Sequence, residues 1–251
     1  MDKGLLYEQE VRDSIATVEP QLNNFEMLPD EGGGYASNVV DLVLKIGNTK
    51  HGFEIKQNFD AQMGGSSVRL VNGTFEFAKS GQESIEPGTQ EMIITELRNR
   101  AHHINDVFEA VMKIEPLHYH ANTCTMSFRA TKNAFNQIRD QGLLKPLNVS
   151  VDRDSSFIMD HYEKKKCFYI QVGDAGLFHM NDNPLDLPVP QLTGKIKIEI
   201  RLGRNGSAII KSIGEKAAMS SLRAQARFKG KLKSPYSLDN PDHVHYLFSN
   251  L

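Results

Sequence analysis

A chain of 251 residues with 39% apolar and 24% charged side chains has enough material for a substantial buried core and the ordinary composition of a soluble globular protein. No apolar run approaches the ~18 residues that span a bilayer, and the charged start MDKGLLYEQEVRDS does not suit a secretory leader. Two cysteines with no CxxC or finger spacing point to a reducing, cytoplasmic setting and away from a disulfide framework.

The net charge of −2 hides an asymmetry. Residues 201–233 hold nine Lys/Arg against one acid, a local charge of +8 on a body that carries −10. A basic stretch on an acidic body suits a partner with phosphates; a merely solvated surface gives the same count.

In chain order, Tyr7, Val11, Ile15 and Val18 recur at helical spacing and predict an amphipathic helix ending near Pro20. After a polar, glycine-rich passage come two strand-like runs, VVDLVLKI (39–46) and GFEIKQ (52–57). The short connection between them predicts a hairpin. Two further strands are expected around SVRLV and TFEFA, joined by Asn72-Gly73. Ile93, Leu97, Ala101, Ile104, Phe108 and Val111 predict a long helix over 89–113, and a shorter one is expected from Thr131 to Gly142. KKCFYIQVGDAGLFHM reads as two strands about a Gly-Asp-Ala-Gly turn, and KIKIEIRLG as another strand. A last helix is expected over 214–228. Strands and helices mix without a regular βαβ repeat, so the fold class expected is α+β or an irregular α/β sandwich, as a single elaborated domain over 1–251.

Two of these strands carry the chemistry. Alternation puts Glu54 and Lys56 on one face and Phe53 and Ile55 on the other. On the preceding strand Asp41 interrupts a run of valine and leucine, where a carboxylate is costly to bury without a partner or a metal. A hairpin lays the two strands side by side, giving D-x12-E-x-K across adjacent strands. A plain charged strand face is the rival account of the same residues.

With its leading helix, hydrophobic aspartate strand, tight turn and E-x-K strand, the segment over about residues 5–60 resembles the PD-(D/E)xK nuclease superfamily, the restriction-endonuclease-like fold. Val40 stands where that motif has proline, and Gln57 is similar to a glutamine found in some branches. The resemblance implies a mixed sheet flanked by helices, a catalytic core over about 5–115 and C-terminal elaborations. It implies a magnesium ion, for which manganese would substitute, held by Asp41, Glu54 and Ile55, the last through its backbone carbonyl alone. Lys56 would stabilise negative charge or act as a general base. A helix glutamate would support the ligands; the wheel places Glu8 nearer the apolar stripe than Glu10, and both stay open.

The implied activity is metal-dependent hydrolysis of double-stranded DNA by a type II restriction-like endonuclease, with the size of a homodimer subunit. Repair, junction-resolving and phage nucleases share the family. Lys216, Arg223 and Arg227 fall on one side of the expected 214–228 helix, and Lys229, Lys231 and Lys233 continue at alternate positions, so the part over 150–251 is expected to contribute phosphate contacts. A non-catalytic DNA-binding protein on the same fold, and a structural protein in which Asp41 and Lys56 form a buried ion pair, are the other readings. The histidines, among them His118 and His120 near Cys124, match no four-ligand zinc spacing and read as surface or structural. The loops EGGGY and QMGGSS lack a P-loop's Lys-Ser/Thr.

Overall fold

The computed structural model describes residues 3–29, 40–71, 74–77, 87–100, 103, 106, 110, 113, 120–122, 127–143, 145, 149–210, 215–230 and 232–251. The elements used below are, in chain order, α1 (Lys3–Val18), β1 (Phe25–Met27), β2 (Leu42–Ile46), β3 (Thr49–Lys56), β4 (Gln62–Val71), β5 (Thr74–Phe77) and α2 (Pro87–Asn99). There follow β6 (His120–Asn122), β7 (Ser127–Thr131), α3 (Lys132–Asp140), β8 (Val149–Asp154), α4 (Ser156–Lys164), β9 (Cys167–Val172), β10 (Gly176–His179), β11 (Lys195–Ile210), β12 (Glu215–Lys229) and α5 (Pro241–Phe248). The protein is therefore a mixed α+β chain, as its irregular alternation of patterns predicts. None of its described helices is long and apolar enough to cross a membrane.

The chain divides into two compact units, each discontinuous in sequence. Residues 1–63, 154–196 and 227–251 form the first, and residues 64–153 with 197–226 form the second. The first unit is built on a five-stranded sheet of order β1-β2-β3-β9-β10. Its pairs are antiparallel except β3 with β9, which run parallel. That parallel pair brings residues 167–172 beside the E-x-K strand, so this sheet draws on chain beyond the core expected at 5–115.

Local chemistry explains the first elements. α1 buries Tyr7, Val11, Ile15 and Val18, the stripe its spacing predicts, and Pro20 stops it in a short 3-10 turn. β2 and β3 pair from Ile46↔Thr49 to Leu42↔Phe53, leaving a two-residue turn. Gly47 sits there at φ 60°, the left-handed region that glycine enters without a side-chain clash. Leu42, Leu44, Phe53 and Ile55 join the stripe of α1 with Tyr169, Leu177 and the α5 residues Val244, Leu247 and Phe248 in one core. Phe53 stacks on Tyr169 with ring centroids 5.0 Å apart. α5 starts at Asn240, whose side chain accepts the Asp242 and His243 amides, with Pro241 at the first helical position.

The second unit holds a seven-stranded sheet of order β5-β4-β12-β11-β8, with β7 also paired to β12 and β6 to β7. β4 and β5 form the expected hairpin, closing at Val71↔Thr74; Asn72-Gly73 itself lies outside the described residues. α2 covers the first half of the expected long helix and α3 ends before Gly142 (φ 76°), as read. QMGGSS is part of β4 rather than a loop.

The expected last helix fails as well. Residues 214–228 are not a helix; Glu215–Lys229 is the strand β12. Its Ala, Met, Leu, Lys, Arg and Gln content favours helix intrinsically, but pairing with β7 from Ala217↔Thr131 to Ser220↔Phe128 overrides propensity. At its end Ala226 and Phe228 are buried while Arg227 is half-buried and Lys229 exposed, the two-residue alternation of a strand. The helical-wheel grouping of Lys216, Arg223 and Arg227 therefore lapses. Lys231 lies outside the described residues.

Candidate active site

β2 begins at Leu42, so the chain joins the sheet one residue after the point where the register, continued outward, would set Asp41 opposite Glu54. Asp41 stays close through its side chain: Oδ2 accepts the Ile55 amide at 2.9 Å, replacing the ladder bond that the missing strand residue would have made. Arg12, one turn beyond Glu8 on α1, donates to the Asp41 carbonyl and fixes the bend. On the other side of β3, the Gly173 amide donates to the Lys56 carbonyl at 2.8 Å. Lys56 thus turns its backbone to β9 and Ile55, one residue earlier, turns its own toward Asp41. A side chain at Gly173 would bring a Cβ within 2.2 Å of the Gln57 carbonyl, so only glycine lets β9 run this close to the end of the E-x-K strand.

The three motif side chains meet. The Lys56 ammonium lies 3.4 Å from Asp41 Oδ2 and also pairs with Glu54 Oε1. All three are largely shielded, with side-chain exposures of 16% for Lys56, 12% for Asp41 and 9% for Glu54. Burial opposes the charge on Lys56, but the Glu54 and Asp41 carboxylates outweigh it and its pKa is raised. Burial raises the pKa of Glu54; Lys56 opposes this, Asp41 adds to it, and the net shift is upward. The two directions agree physically. One ammonium shared by two buried carboxylates is held protonated, while one excess negative charge stays poorly compensated.

Glu8 belongs to the same cluster. Its pKa is pushed up to about 6 by burial and by Asp41, with Lys56 and Arg12 pulling the other way and Glu54 adding to the rise. Glu10 is exposed. The helix glutamate of this cluster is Glu8, the one the wheel placed nearer the core.

Sequence reading missed the residues contributed by α4. The buried Tyr162 hydroxyl lies 2.6 Å from the Met63 carbonyl and 3.2 Å from Glu54 Oε1. Its one proton serves the nearer acceptor, leaving the phenol oxygen to accept from Glu54 when that acid is protonated. Lys165 places its ammonium 5.5 Å from the centre of the Tyr162 ring, and its charge is felt at Glu54. Cys167 is buried alongside; burial, Glu54 and Asp41 all raise its pKa, so it remains a neutral thiol. Arg12 had a local signal, since Glu8 and Arg12 are an i, i+4 pair on α1. Tyr162 and Lys165 had none, because only the parallel β3–β9 pairing brings them here.

The donor set suits a hard divalent ion. Two carboxylates already converge on one cation, and both are oxygen ligands of the kind magnesium takes. Among the described residues no three or more His, Cys, Asp and Glu side chains converge on one point. Side chains therefore offer two carboxylates, and the other positions of an octahedron would fall to backbone, water and phosphate oxygens. Of the basic residues read as DNA contacts, Arg227 and Lys229 lie in the same compact unit as this cluster, whereas Lys216 and Arg223 lie in the other. His118 and Cys124 lie outside the described residues, and His243 accepts the Ser237 amide through Nδ1. No protein-family model, curated protein or solved structure matches the chain.

Proposed function

We propose that this protein is a metal-dependent DNA endonuclease of the restriction-endonuclease-like fold, most similar in kind to a type II restriction enzyme. The observation that carries this reading is the meeting of Asp41, Glu54 and Lys56 at the end of two adjacent strands, with Glu8 from the leading helix beside them. Asp41, Glu54 and the Ile55 carbonyl would hold magnesium or manganese, which supplies polarisation of the phosphate and a bound water of lowered pKa. Lys56, kept protonated by its two carboxylates, offers its ammonium to the negative charge that grows on the phosphate oxygens. Tyr162 orients Glu54, and Arg12 holds the bend that presents Asp41. Double-stranded DNA is the substrate proposed, with Arg227 and Lys229 as phosphate contacts and a homodimer to cut both strands.

The ion pairs themselves favour a second reading, in which Asp41, Glu54 and Lys56 are a structural charge cluster with no turnover. Incubation of mixed plasmid and genomic DNA with magnesium or manganese, beside Lys56→Met at equal concentration, separates the two. Metal-dependent fragments from the wild type alone support the nuclease, and discrete bands support a restriction-like specificity. DNA left intact by both proteins, together with a marked loss of stability in K56M, supports the structural cluster.

A further inference from the structure

The cluster contains three carboxylates, Glu8, Asp41 and Glu54, and the charges of Arg12, Lys56 and Lys165 act on it. Arg12 is committed to the Asp41 carbonyl and Lys56 to Asp41 and Glu54. Lys165 is different. It follows the last turn of α4, three residues after Tyr162, and is half-buried over that ring, yet pairs with no carboxylate among the described residues. Its neighbours Lys164 and Lys166 are exposed. A lysine at a helix C-terminus complements the helix dipole, but Lys164 does that as well from an exposed position. The dipole therefore gives no reason for Lys165 to be the one drawn in beside the acids.

Charge counting gives one. With Glu8 ionised the three acids and three cations cancel. A divalent ion on Asp41 and Glu54 would leave the site positive by two charges. A phosphodiester at the reacting position brings one negative charge, which leaves one positive charge for a second phosphate. Of the three cations, Lys165 is the one whose charged group makes no hydrogen bond or ion pair among the described residues.

We propose that Lys165 is a phosphate-binding residue of this site, holding a backbone phosphate of the DNA strand next to the one that is hydrolysed. The inference rests on the nuclease reading above. Lys165 leans on Tyr162 in the free protein and turns to the phosphate when DNA is present; the Tyr162 ring keeps its ammonium partly desolvated and so strengthens the contact.

The test uses the full chain and a fluorescent, short, random-sequence DNA duplex, with calcium in place of magnesium so that binding is read without relying on turnover. Lys165→Met keeps the apolar stem on Tyr162 and removes the charge; Lys165→Arg restores the charge; Lys164→Met is the exposed control. K165M is expected to bind several-fold more weakly, with a salt slope smaller by about 1, while K165R recovers both and K164M changes neither. In magnesium K165M is expected to raise KM more than it lowers kcat. Equal affinity and slope for K165M and wild type, in a wild type that cuts, overturns the role of Lys165 alone. Weaker binding with an unchanged slope and a lower melting temperature assigns Lys165 to packing on Tyr162 and also overturns it. A wild type that neither binds the duplex nor cuts DNA overturns both this inference and the nuclease reading.

Discussion

Two clusters of polar side chains lie in the same compact unit, one residue apart on α1 and on neighbouring strands. In the first, Gln171 on β9 uses its amide completely. Its two N–H groups reach the Tyr7 hydroxyl and Ser237 Oγ, both at 2.8 Å, and its carbonyl accepts the Leu238 amide at 2.9 Å. Tyr7 and Ser237 in turn donate hydrogen bonds to the two oxygens of Asp239, at 2.7 and 2.6 Å. In the second, beginning at Glu8 and Ile55–Lys56, two carboxylates compete for one ammonium, and Glu54 and Glu8 are both harder to ionise than usual. The first runs from the fully buried Gln171 out to the exposed Asp239, so its one charge reaches water, whereas the second keeps its charges shielded. Satisfaction separates them further. The Gln171 cluster ties the segment before α5 to the sheet, and each polar group named in it has a hydrogen-bond partner. In the Asp41–Glu54–Lys56 cluster two carboxylates share one ammonium, a local excess of negative charge at which a divalent ion would be favoured even though more distant cations balance the wider site.

The largest effect expected is on cleavage. Asp41→Asn keeps an acceptor for the Ile55 amide and removes the charge; it should lower the cleavage rate by about a thousandfold or more with little loss of stability. Asn is the informative substitution, because alanine at 41 would also orphan the Ile55 N–H. Lys56→Met should be equally inactive but less stable, and increasingly so at higher pH, because it leaves two buried carboxylates facing each other. Magnesium should raise its melting temperature more than it raises that of the wild type, since the ion no longer competes with the tethered ammonium. A D41N protein that unfolds early and still cuts would erase the contrast between the two clusters.

The opposite behaviour is expected at the satisfied cluster. Gln171→Leu strands the Tyr7 and Ser237 groups and the Leu238 amide, and should cost about 3 kcal/mol or more of unfolding free energy. The fraction that remains folded should cut DNA within a few-fold of the wild-type rate. Denaturant unfolding beside cleavage normalised to folded protein measures both; a stable but inactive Q171L would mean that the clasp works through the site after all. Tyr162→Phe sits between the extremes, since its hydroxyl touches both Glu54 and the Met63 carbonyl. It should lose about 1–2 kcal/mol of stability and roughly tenfold in kcat, with KM nearly unchanged.

These contrasts also mark what a reader of the sequence can and cannot see. The α1 stripe, the β2–β3 hairpin and the facing of Glu54 and Lys56 are local, fixed by spacing, by Gly47 and by alternation, so the motif triad and Glu8 were legible. The parallel partner β9 enters the sheet only after more than a hundred residues, and no local pattern announces which strand it will join. Everything carried by that pairing was therefore hidden: Tyr162, Lys165, Cys167 and the Gln171 clasp. β12 failed for a different reason. Its alanines and long polar side chains prefer a helix in isolation, and its strand state is imposed by the sheet it completes. Lys216, Arg223, Arg227 and Lys229 lie on that strand, so the helical period used to group the first three does not apply.

The smallest effect expected is the most specific to the local excess of negative charge. Glu8 has its pKa raised to about 6 from the usual 4.5, first by burial and then by Asp41. An acid whose folded-state pKa is raised binds its proton more tightly in the folded protein. Its contribution to stability is present below 4.5, is lost as pH rises from 4.5 to about 6, and stays lost above that. Glu8→Gln removes the penalty, so the variant should gain on the wild type across that window and hold a constant advantage above it. Added magnesium at the higher pH should narrow the gap, because an ion beside Asp41 favours the ionised Glu8 and stabilises the wild type alone. Urea unfolding of both proteins, well below 4.5 and well above 6, with and without magnesium, measures all four corners. A gap that is the same at both pH values would show that Glu8 does not share the strained charge of the Asp41–Glu54–Lys56 cluster; a gap that magnesium leaves untouched would place Glu8 beside the site without a part in holding the ion.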